Sequence, residues 1–528
     1  MEINDSHLPW IVSIAFNWHD SSVAVSHGPH VKLVLEAERI FRIKKLRCDK
    51  KQMEELISLA LKETGITLDD VGIWCGTGFG NEFTKNEMGL VEDVHHHGTD
   101  ILGRKVNTRF VNHHRSHAAM YFSSPFDRAV IISCDGGGDD EDHVPFLGDG
   151  LTLQRLEPTE TINRFSSIFY DRASFYLYGQ YRQEGKFMGL ANWGEIDEQL
   201  KNTLVDKVDF ICNSSEEDGL DFFRKIYPVS YDPKDRRARN FTATVQRVFE
   251  ECRLLTAREY RHISPNLVLV GGAALNVVAN SVIADEAGYD DIFVPPCCDD
   301  TGQALGALLD TIVAELGMRP QIDYPFLGRE EEIRSSNAEF NDIPEIARQL
   351  AEGKIIAWHC GRGEIGPRAL GHRSLLASPA TLDMKVKISE RVKQRESYRP
   401  VAPIILSEHA EEWFEIKTPS PFMSFSVPAT AKCRAEAPAV VHIDGSARVQ
   451  TVPAGGDAAI RDLLSEFYAQ TGIPLLINTS LNGPDMPICD KVSDTIGWLS
   501  KLDRKNNDGL SLAVNGRLYD FNYLDKGV

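Results

Sequence analysis

The sequence predicts an α/β protein with a second domain of α+β character. Three observations carry this: apolar strands that end in Gly/Asp turns opening helices, an acidic polar stretch near residue 330, and a change to short strands and loops after it. At 528 residues the chain is too long for one core. The expected division is residues 1–342, with a linker at about 325–342 around "GREEEIRSSNAEFND", and 343–528.

Taken in order, "WIVSIAF", "SSVAVSHG" and "VKLVLEAE" read as an antiparallel start with a turn at Gly28-Pro29. A helix is expected near "KQMEELISLALKETG" and a strand at "VGIWCG". "RAVIISCDGGGDD" is an apolar strand running into an acidic glycine turn. "NLVLVGGAALNVVANSVIADEAG" is strand, Gly-Gly turn and helix, and "DIFVPPCCDDTGQALGALLDTIVAEL" repeats that logic. Two halves are expected, on either side of Pro125, with ligands at the carboxyl ends of strands. Beyond Ile343, "KIIAWH", "VAPIIL" and "PLLINTSLN" read as short strands.

A hydrophobic content of 42% and a charged content of 25% are those of an ordinary soluble protein. No apolar run reaches the roughly 18 residues of a membrane span, and the start shows no basic and apolar signal pattern. Ten scattered cysteines without a C-x-x-C pair point to reduced thiols and a cytoplasmic location. The net charge of −20 argues against nucleic acid as a partner.

Three histidines fall within "VNHHRSHAA", and His113 and His117 are one helical turn apart. Such a pair is equally the polar start of a helix. Carboxylates at strand ends would complete a metal site: Asp135 in "SCDGGGDD", and Asp299 or Asp300 in "PPCCDDTG". Two histidines and two aspartates suit Fe(II), Mn(II) or Zn(II). The triplet His95–His97 reads as a solvated loop.

Gly136-Gly137-Gly138 and Gly271-Gly272 let a backbone approach phosphates, and Asn276, one turn on, is placed to reach a ribose or base. Structural turns are the plainer reading of each. No Walker-type loop is present; Lys186 in "EGKFMGLA" is a point charge for a phosphate. "GRGEIGPRALGHRSLLASP" holds Arg362, Arg368, His372 and Arg373, and "VKQRESYRPVAP" holds Lys393, Arg395 and Arg399. Arg448, Asn478, Ser480 and Asn482 follow. Guanidinium groups in apolar segments flanked by Gly and Pro imply a bound anion, because an unpaired buried charge is expensive.

Together these motifs resemble the O-carbamoyltransferases of the nodulation-factor and antibiotic type. The likeness runs through "FNWHDSSVAV", "EAERIFRIKK", "VNHHRSHAA", "EGKFMGLA", "LVGGAALN", "DDTGQALGA", "GRGEIGPRALGHRS", "KQRESYRPVAP", "HIDGSARVQTV" and "INTSLNGPDMPI". The resemblance implies an actin-like, sugar-kinase-like N-terminal domain of two lobes and a YrdC-like C-terminal domain. It implies that carbamoyl-adenylate is made from ATP, with Mg(II), and carbamoyl phosphate in the C-terminal site. The carbamoyl group then passes to a hydroxyl of a small natural product, as in antibiotic biosynthesis, in an N-terminal site holding Fe(II) or another divalent metal.

On this resemblance His113, His117, Asp135 and Asp300 are metal ligands, with Asp300 preferred because it stands two before Gly302. His19 is the general base and Asp20 orients it or the nucleotide. Gly137, Lys186, Gly271, Gly272 and Asn276 contact the nucleotide of the transfer site. Arg368, Lys393, Arg399, Arg448, Asn478 and Ser480 contact ATP and carbamoyl phosphate. The segment "EAERIFRIKKL" is expected to line the acceptor pocket, and Cys298 is a candidate soft ligand beside Asp299. A homodimer is compatible with the sequence.

The alternatives are a tRNA threonylcarbamoyl-type modifying enzyme, disfavoured by the acidic balance, and an actin-like ATP-binding scaffold, which leaves the arginines without purpose. The hydrogenase-maturation relative would need C-x-x-C motifs that this chain lacks.

Overall fold

The structure, a computed structural model, describes residues 7–78, 93–138, 143–157, 167–330, 342–502 and 509–519. Most of the expected linker, 331–341, lies outside the described residues, as do Asp139 and Asp140 of the glycine turn.

The architecture is mixed α/β. Strands β1 (Trp10–Ala15), β2 (Ser22–His27), β3 (His30–Glu36), β4 (Val71–Thr77), β5 (Val94–Ile101) and β6 (Arg104–Val111) form a first sheet in the order β3-β2-β1-β4-β6-β5. β1 pairs antiparallel with β2 and parallel with β4, and β4 runs parallel to β6. The antiparallel opening is thus as the alternation of residues indicates. The His95–His97 triplet is not a loop: it lies on β5, an edge strand paired antiparallel with β6. Polar side chains on an edge strand leave only weak alternation, which is why the strand was hidden.

A second sheet of β7 (Arg128–Cys134), β8 (His143–Asp149), β9 (Thr152–Arg155), β10 (Asn266–Val270) and β11 (Asp291–Phe293) has the order β11-β10-β7-β8-β9. β7, β10 and β11 are parallel, so their carboxyl ends share one edge. The division at Pro125 is incomplete. The helix Gln303–Leu316, sequentially in the second half, returns to pack on β1, β2 and β4 of the first sheet. Leu305, Leu308 and Ile312 of that helix are fully buried with Ile11, Ala15 and Cys75. Its apolar composition needs more than one wall, and the helix His113–Ala118 with the turn Ala119–Ser123 packs on it as well.

The third sheet contains β12 (Ile355–His359), β13 (Arg373–Ala377), β14 (Ala402–Leu406), β17 (Gln450–Val452), β18 (Leu475–Ser480), β19 (Leu510–Val514) and β20 (Arg517–Tyr519). A small ribbon of β15 (Ser426–Pro428) and β16 (Ser446–Arg448) lies beside it. Successive side chains of β12 enter opposite cores: Ile355 and Ala357 pack with Trp413 and Leu475, while Ile356 and Trp358 pack with Ile404 and Phe467. Burial on both faces explains why these strands read as unbroken apolar runs. At about 1.5–3 kcal/mol for each large buried apolar side chain, these two layers are the main support of this part of the chain.

The first and third sheets meet across a polar seam. Arg39 is buried, pairs with Glu36 at 2.7 Å, and donates to the carbonyls of Glu364 and Gly366 at 2.6 Å each. Arg42 donates to the carbonyl of Pro487 at 2.9 Å, and Arg329 bridges Glu63 and Asp490, each at 2.9 Å. The segment "EAERIFRIKKL" is therefore spent at its start on this seam, while at its end Lys45 lies near His19 and Asp20 and the Leu46 carbonyl accepts from the Ser21 N–H at 3.0 Å.

Candidate active site

β6 ends at Val111, and Asn112 caps the next helix by accepting from the N–H groups of His114 (2.9 Å) and Arg115 (3.3 Å). That cap starts the helix His113–Ala118 at the strand's end and aims His113 and His117 along one face. Asp135 follows β7 directly. Gly271 follows β10 with φ of 85°, and a Cβ there would meet the Cys134 carbonyl oxygen at 2.2 Å, so only glycine fits. Gly272 then donates its N–H to Asp135 Oδ2 at 2.7 Å, which fixes that carboxylate. Asp300 opens a short turn into the helix Gln303–Leu316.

These elements converge. His117 Nε2 is 3.2 Å from both Asp135 Oδ2 and Asp300 Oδ1, and His113 Nε2 is 3.6 Å from Asp300 Oδ1. The donor atoms of all four residues lie within 4.8 Å of one another. Ligands about 2.1 Å from one centre are at most about 4.2 Å apart, so a contraction of roughly half an ångström closes the group on a first-row ion. His117 Nε2 and Asp300 Oδ1 are buried and face each other without an aligned hydrogen bond, as atoms directed at a shared third centre do. Burial pushes the His117 imidazole down, yet the two carboxylates outweigh it and hold it up at about 9. Burial raises the Asp135 and Asp300 carboxyls, and His117 with His113 brings both below the ordinary value. A divalent cation would take over the role of that proton. The residues fit a two-His, two-carboxylate metal site.

His19 sits in the turn between β1 and β2, with Nδ1 2.8 Å from Asp20 Oδ2 and 3.5 Å from Asp300 Oδ2. Asp20 is buried and adopts φ of 54°, a left-handed conformation uncommon outside glycine. Burial lowers the His19 pKa, and the hydrogen bond to Asp20 with the charge of Asp300 turns the net shift upward. Beside it stands Trp18, 66% exposed, with the Arg47 guanidinium 4.6 Å over its ring. That exposed aromatic was not singled out from sequence; its place beside "HDSS" was the available signal.

Other residues are placed less simply. Asn276 is buried and occupied: its oxygen caps the helix Val277–Glu286 at Ala279, and its amide pairs with Gln246 at 3.0 and 3.1 Å. Gly137 is exposed after Asp135, with open space around it. Cys297 and Cys298 are buried in hydrophobic clusters, and the Cys298 thiol is pushed up by burial. Cys298 contributes its carbonyl oxygen, which accepts from Gly271 at 2.7 Å, and it is not one of the four converging groups.

A second cluster gathers on the third sheet. Lys393 is buried, and its Nζ donates to Ser480 Oγ at 2.9 Å, to Asn482 Oδ1 at 2.5 Å and to the Ser480 carbonyl. Asn478 donates to the Ala369 carbonyl at 3.1 Å and to Gln450 at 2.8 Å. Arg448 is pushed well below its usual pKa by burial and by the like charges of Arg368, Arg395 and Arg399. Arg395 falls to about 9 through burial and Arg399. Burial with Arg395, Arg399 and Lys44 likewise lowers Lys393. Arg368 reaches to the second sheet's side, where it donates to the Leu275 carbonyl just after β10 at 3.3 Å. Such crowded cations are costly unless an anion joins them.

Not every arginine of "GRGEIGPRALGHRS" belongs there. Arg362 donates to the carbonyls of Gly328 and Leu327, and Arg373, fully buried, to those of Cys360, Gly361 and Asp490. His372 pairs with Asp457 at 3.1 Å. These three hold the loop, and sequence alone did not separate them from Arg368.

Known proteins identify the class. The chain matches the carbamoyltransferase N-terminus over residues 79–309 and the carbamoyltransferase C-terminus over residues 347–512. It is similar to nodulation protein NolNO of Sinorhizobium fredii, 31% identical over 535 residues that cover 90% of this chain and 76% of that one. It is also similar to nodulation protein NolO of Bradyrhizobium diazoefficiens, 33% identical over 73% of this chain and 75% of that one. Among solved structures, the activator of 2-hydroxyisocaproyl-CoA dehydratase from Clostridium difficile aligns with 60% of this chain and 99% of its own, at 13% identity and a TM-score of 0.32, too low to assign a fold. The chain belongs to the carbamoyltransferase family. It is an enzyme, and the group it transfers is carbamoyl. Among the described residues, no helix is long and apolar enough to cross a membrane.

Proposed function

We propose that the enzyme is an ATP-dependent O-carbamoyltransferase with two sites, acting on a hydroxyl of a small molecule such as an antibiotic or related metabolite. The reading treats residues 1–342 as an actin-like transfer domain and 343–528 as a YrdC-like activating domain. The observation that carries it is the pairing of two unlike clusters: four converging metal-type ligands on one side of the seam, and crowded cations on the other.

In the activating site, carbamoyl phosphate loses phosphate to water and leaves carbamate. A carbamate oxygen attacks the α-phosphorus of ATP, expelling pyrophosphate and giving carbamoyl-adenylate. Arg368, Arg399 and Arg448 neutralise the phosphates, and the Lys393–Ser480–Asn482 network holds the carbamate end. In the transfer site, Lys186 and the backbone of Gly137, Gly271 and Gly272 receive the adenylate. His113, His117, Asp135 and Asp300 would hold a divalent ion, Fe(II) being the expected one, which when bound supplies a positive centre for charge developing on the reacting oxygen. His19 has Nδ1 engaged by Asp20, which leaves Nε2 to take the hydroxyl proton as the oxygen attacks the carbonyl carbon and AMP departs.

The test is incubation of the purified protein with ATP, carbamoyl phosphate and a panel of hydroxyl compounds. Pyrophosphate release dependent on carbamoyl phosphate, and a product heavier by one carbamoyl group, support the reading. ATP turnover indifferent to carbamoyl phosphate overturns it.

A further inference from the structure

The loop Lys393–Pro400 starts in the cation cluster and ends against the helix Glu184–Ala191, which carries Lys186. Its far end is firmly seated. Tyr398 Oη lies 3.2 Å from Tyr178 Oη and 3.2 Å from Tyr231 Oη. A Cβ at Gly189 would stand 3.7 Å from Pro400 and 3.8 Å from Tyr398, ordinary packing distances. Between these anchors lies Glu396. Its Oε1 is 3.0 Å from Lys186 Nζ, and its Oε2 is 3.7 Å from Arg399 Nη1. One carboxylate thus touches a cation assigned to each of the two sites. Lys44 adds a further positive charge near both partners.

We propose that Glu396 is a positioning residue: an internal counter-ion that competes with the nucleotide phosphate for Lys186 and Arg399 as the adenylate crosses between the sites. The proposal rests on the reading of Lys186 and Arg399 given above. A phosphate leaving Arg399 meets Lys186 on the other side of the same carboxylate, so the two cations form consecutive steps of one path. Without a competing anion, the two would hold a phosphate too tightly to pass it on or to let AMP leave. Glu396 keeps the pair oriented and weakens its grip.

A simple tie between domains makes the opposite prediction. Cutting a tie loosens the structure and leaves phosphate affinity equal or weaker; neutralising a competing counter-ion tightens it. The experiment is calorimetric titration of the full chain with AMP, comparing wild type with Glu396→Gln, and with Lys186→Ala and Arg399→Ala. Removing one charge beside a phosphate at this partial burial is expected to tighten AMP by roughly tenfold in the Gln variant. Release of AMP then slows transfer while pyrophosphate release in the first turnover is kept. AMP affinity in Glu396→Gln equal to or weaker than wild type overturns the proposal. Glu396→Ala, read the same way, decides the matter should the Gln variant not fold. If neither Lys186→Ala nor Arg399→Ala weakens AMP, the assignment of the phosphate path fails instead, and the two failures are distinct.

Discussion

His19 Nδ1 stands 3.5 Å from Asp300 Oδ2, so a histidine on the turn after the first strand and a ligand-type carboxylate before the helix Gln303–Leu316 share one site. With Asp20 at 2.8 Å on the same nitrogen, the neutral imidazole carries its proton there and its lone pair on Nε2.

His19→Ala is therefore expected to slow carbamoyl transfer on the order of 10²- to 10⁴-fold, the usual worth of a positioned base. Bound metal and pyrophosphate release should stay at wild-type levels. Transfer assayed at saturating acceptor checks this; an unchanged rate assigns the proton to another group.

His117→Ala is expected to remove bound divalent metal, measured by elemental analysis of the purified chain. Transfer should be lost while pyrophosphate formation continues, because the ligand group lies across the seam from the cation cluster. A variant that keeps its metal contradicts the four-residue site.

Glu364 gives a stability prediction. Its buried Oε1 accepts from the N–H groups of Leu370 at 2.6 Å, Arg373 at 3.2 Å and His372 at 3.3 Å. Burial raises the Glu364 carboxyl, and Arg39, with His372 and Arg373 beside it, brings it below the ordinary value. Glu364→Ala leaves three buried donors and nearby cations unmatched, so a loss of about 3–5 kcal/mol is expected in denaturant unfolding. A change under 1 kcal/mol would mean that the loop around Arg368 is held by other contacts.

Arg448 gives one of opposite sign. Its charge lies among Arg368, Arg395 and Arg399, and among the described residues its buried Nε has no hydrogen-bond partner. Arg448→Met should leave the unfolding midpoint of the ligand-free protein unchanged or raised, since a crowded like charge is removed. A marked drop would show that the arginine holds the fold.

The four converging residues of the candidate site could be picked out in the sequence because most of them lie where strands end. Asp135 and Gly271 each follow an apolar run directly, and His113 stands two beyond Val111 of the short apolar pair Phe110-Val111. Asp300 required more than pattern, since Asp299 precedes it with equal chemistry. The fold separates them: Asp299 accepts from Thr301 at 2.5 Å, while Asp300 faces His117. What stayed hidden was set by contacts distant in the chain. Nothing local distinguishes Arg373, buried on backbone carbonyls, from Arg368 five residues earlier, because the difference is which carbonyls the folded chain brings near. The edge strand β5 and the return of the helix Gln303–Leu316 to the first sheet escaped for the same reason: each is decided by a partner elsewhere. Nothing local marks Glu396 in "KQRESYRP"; its partner Lys186 is brought beside it only by the fold.

One cluster is expected to make the activated carbamoyl group and the other only to consume it. The most direct test of that division is Arg448→Ala supplied with synthetic carbamoyl-adenylate and an acceptor. The variant by itself should fold, bind metal and release no pyrophosphate from ATP and carbamoyl phosphate. Added adenylate should restore acceptor carbamoylation to near the wild-type rate, because His19 and the four-ligand group are intact. Failure of added adenylate to restore product in a folded, metal-loaded variant would contradict the division of labour between the two sites.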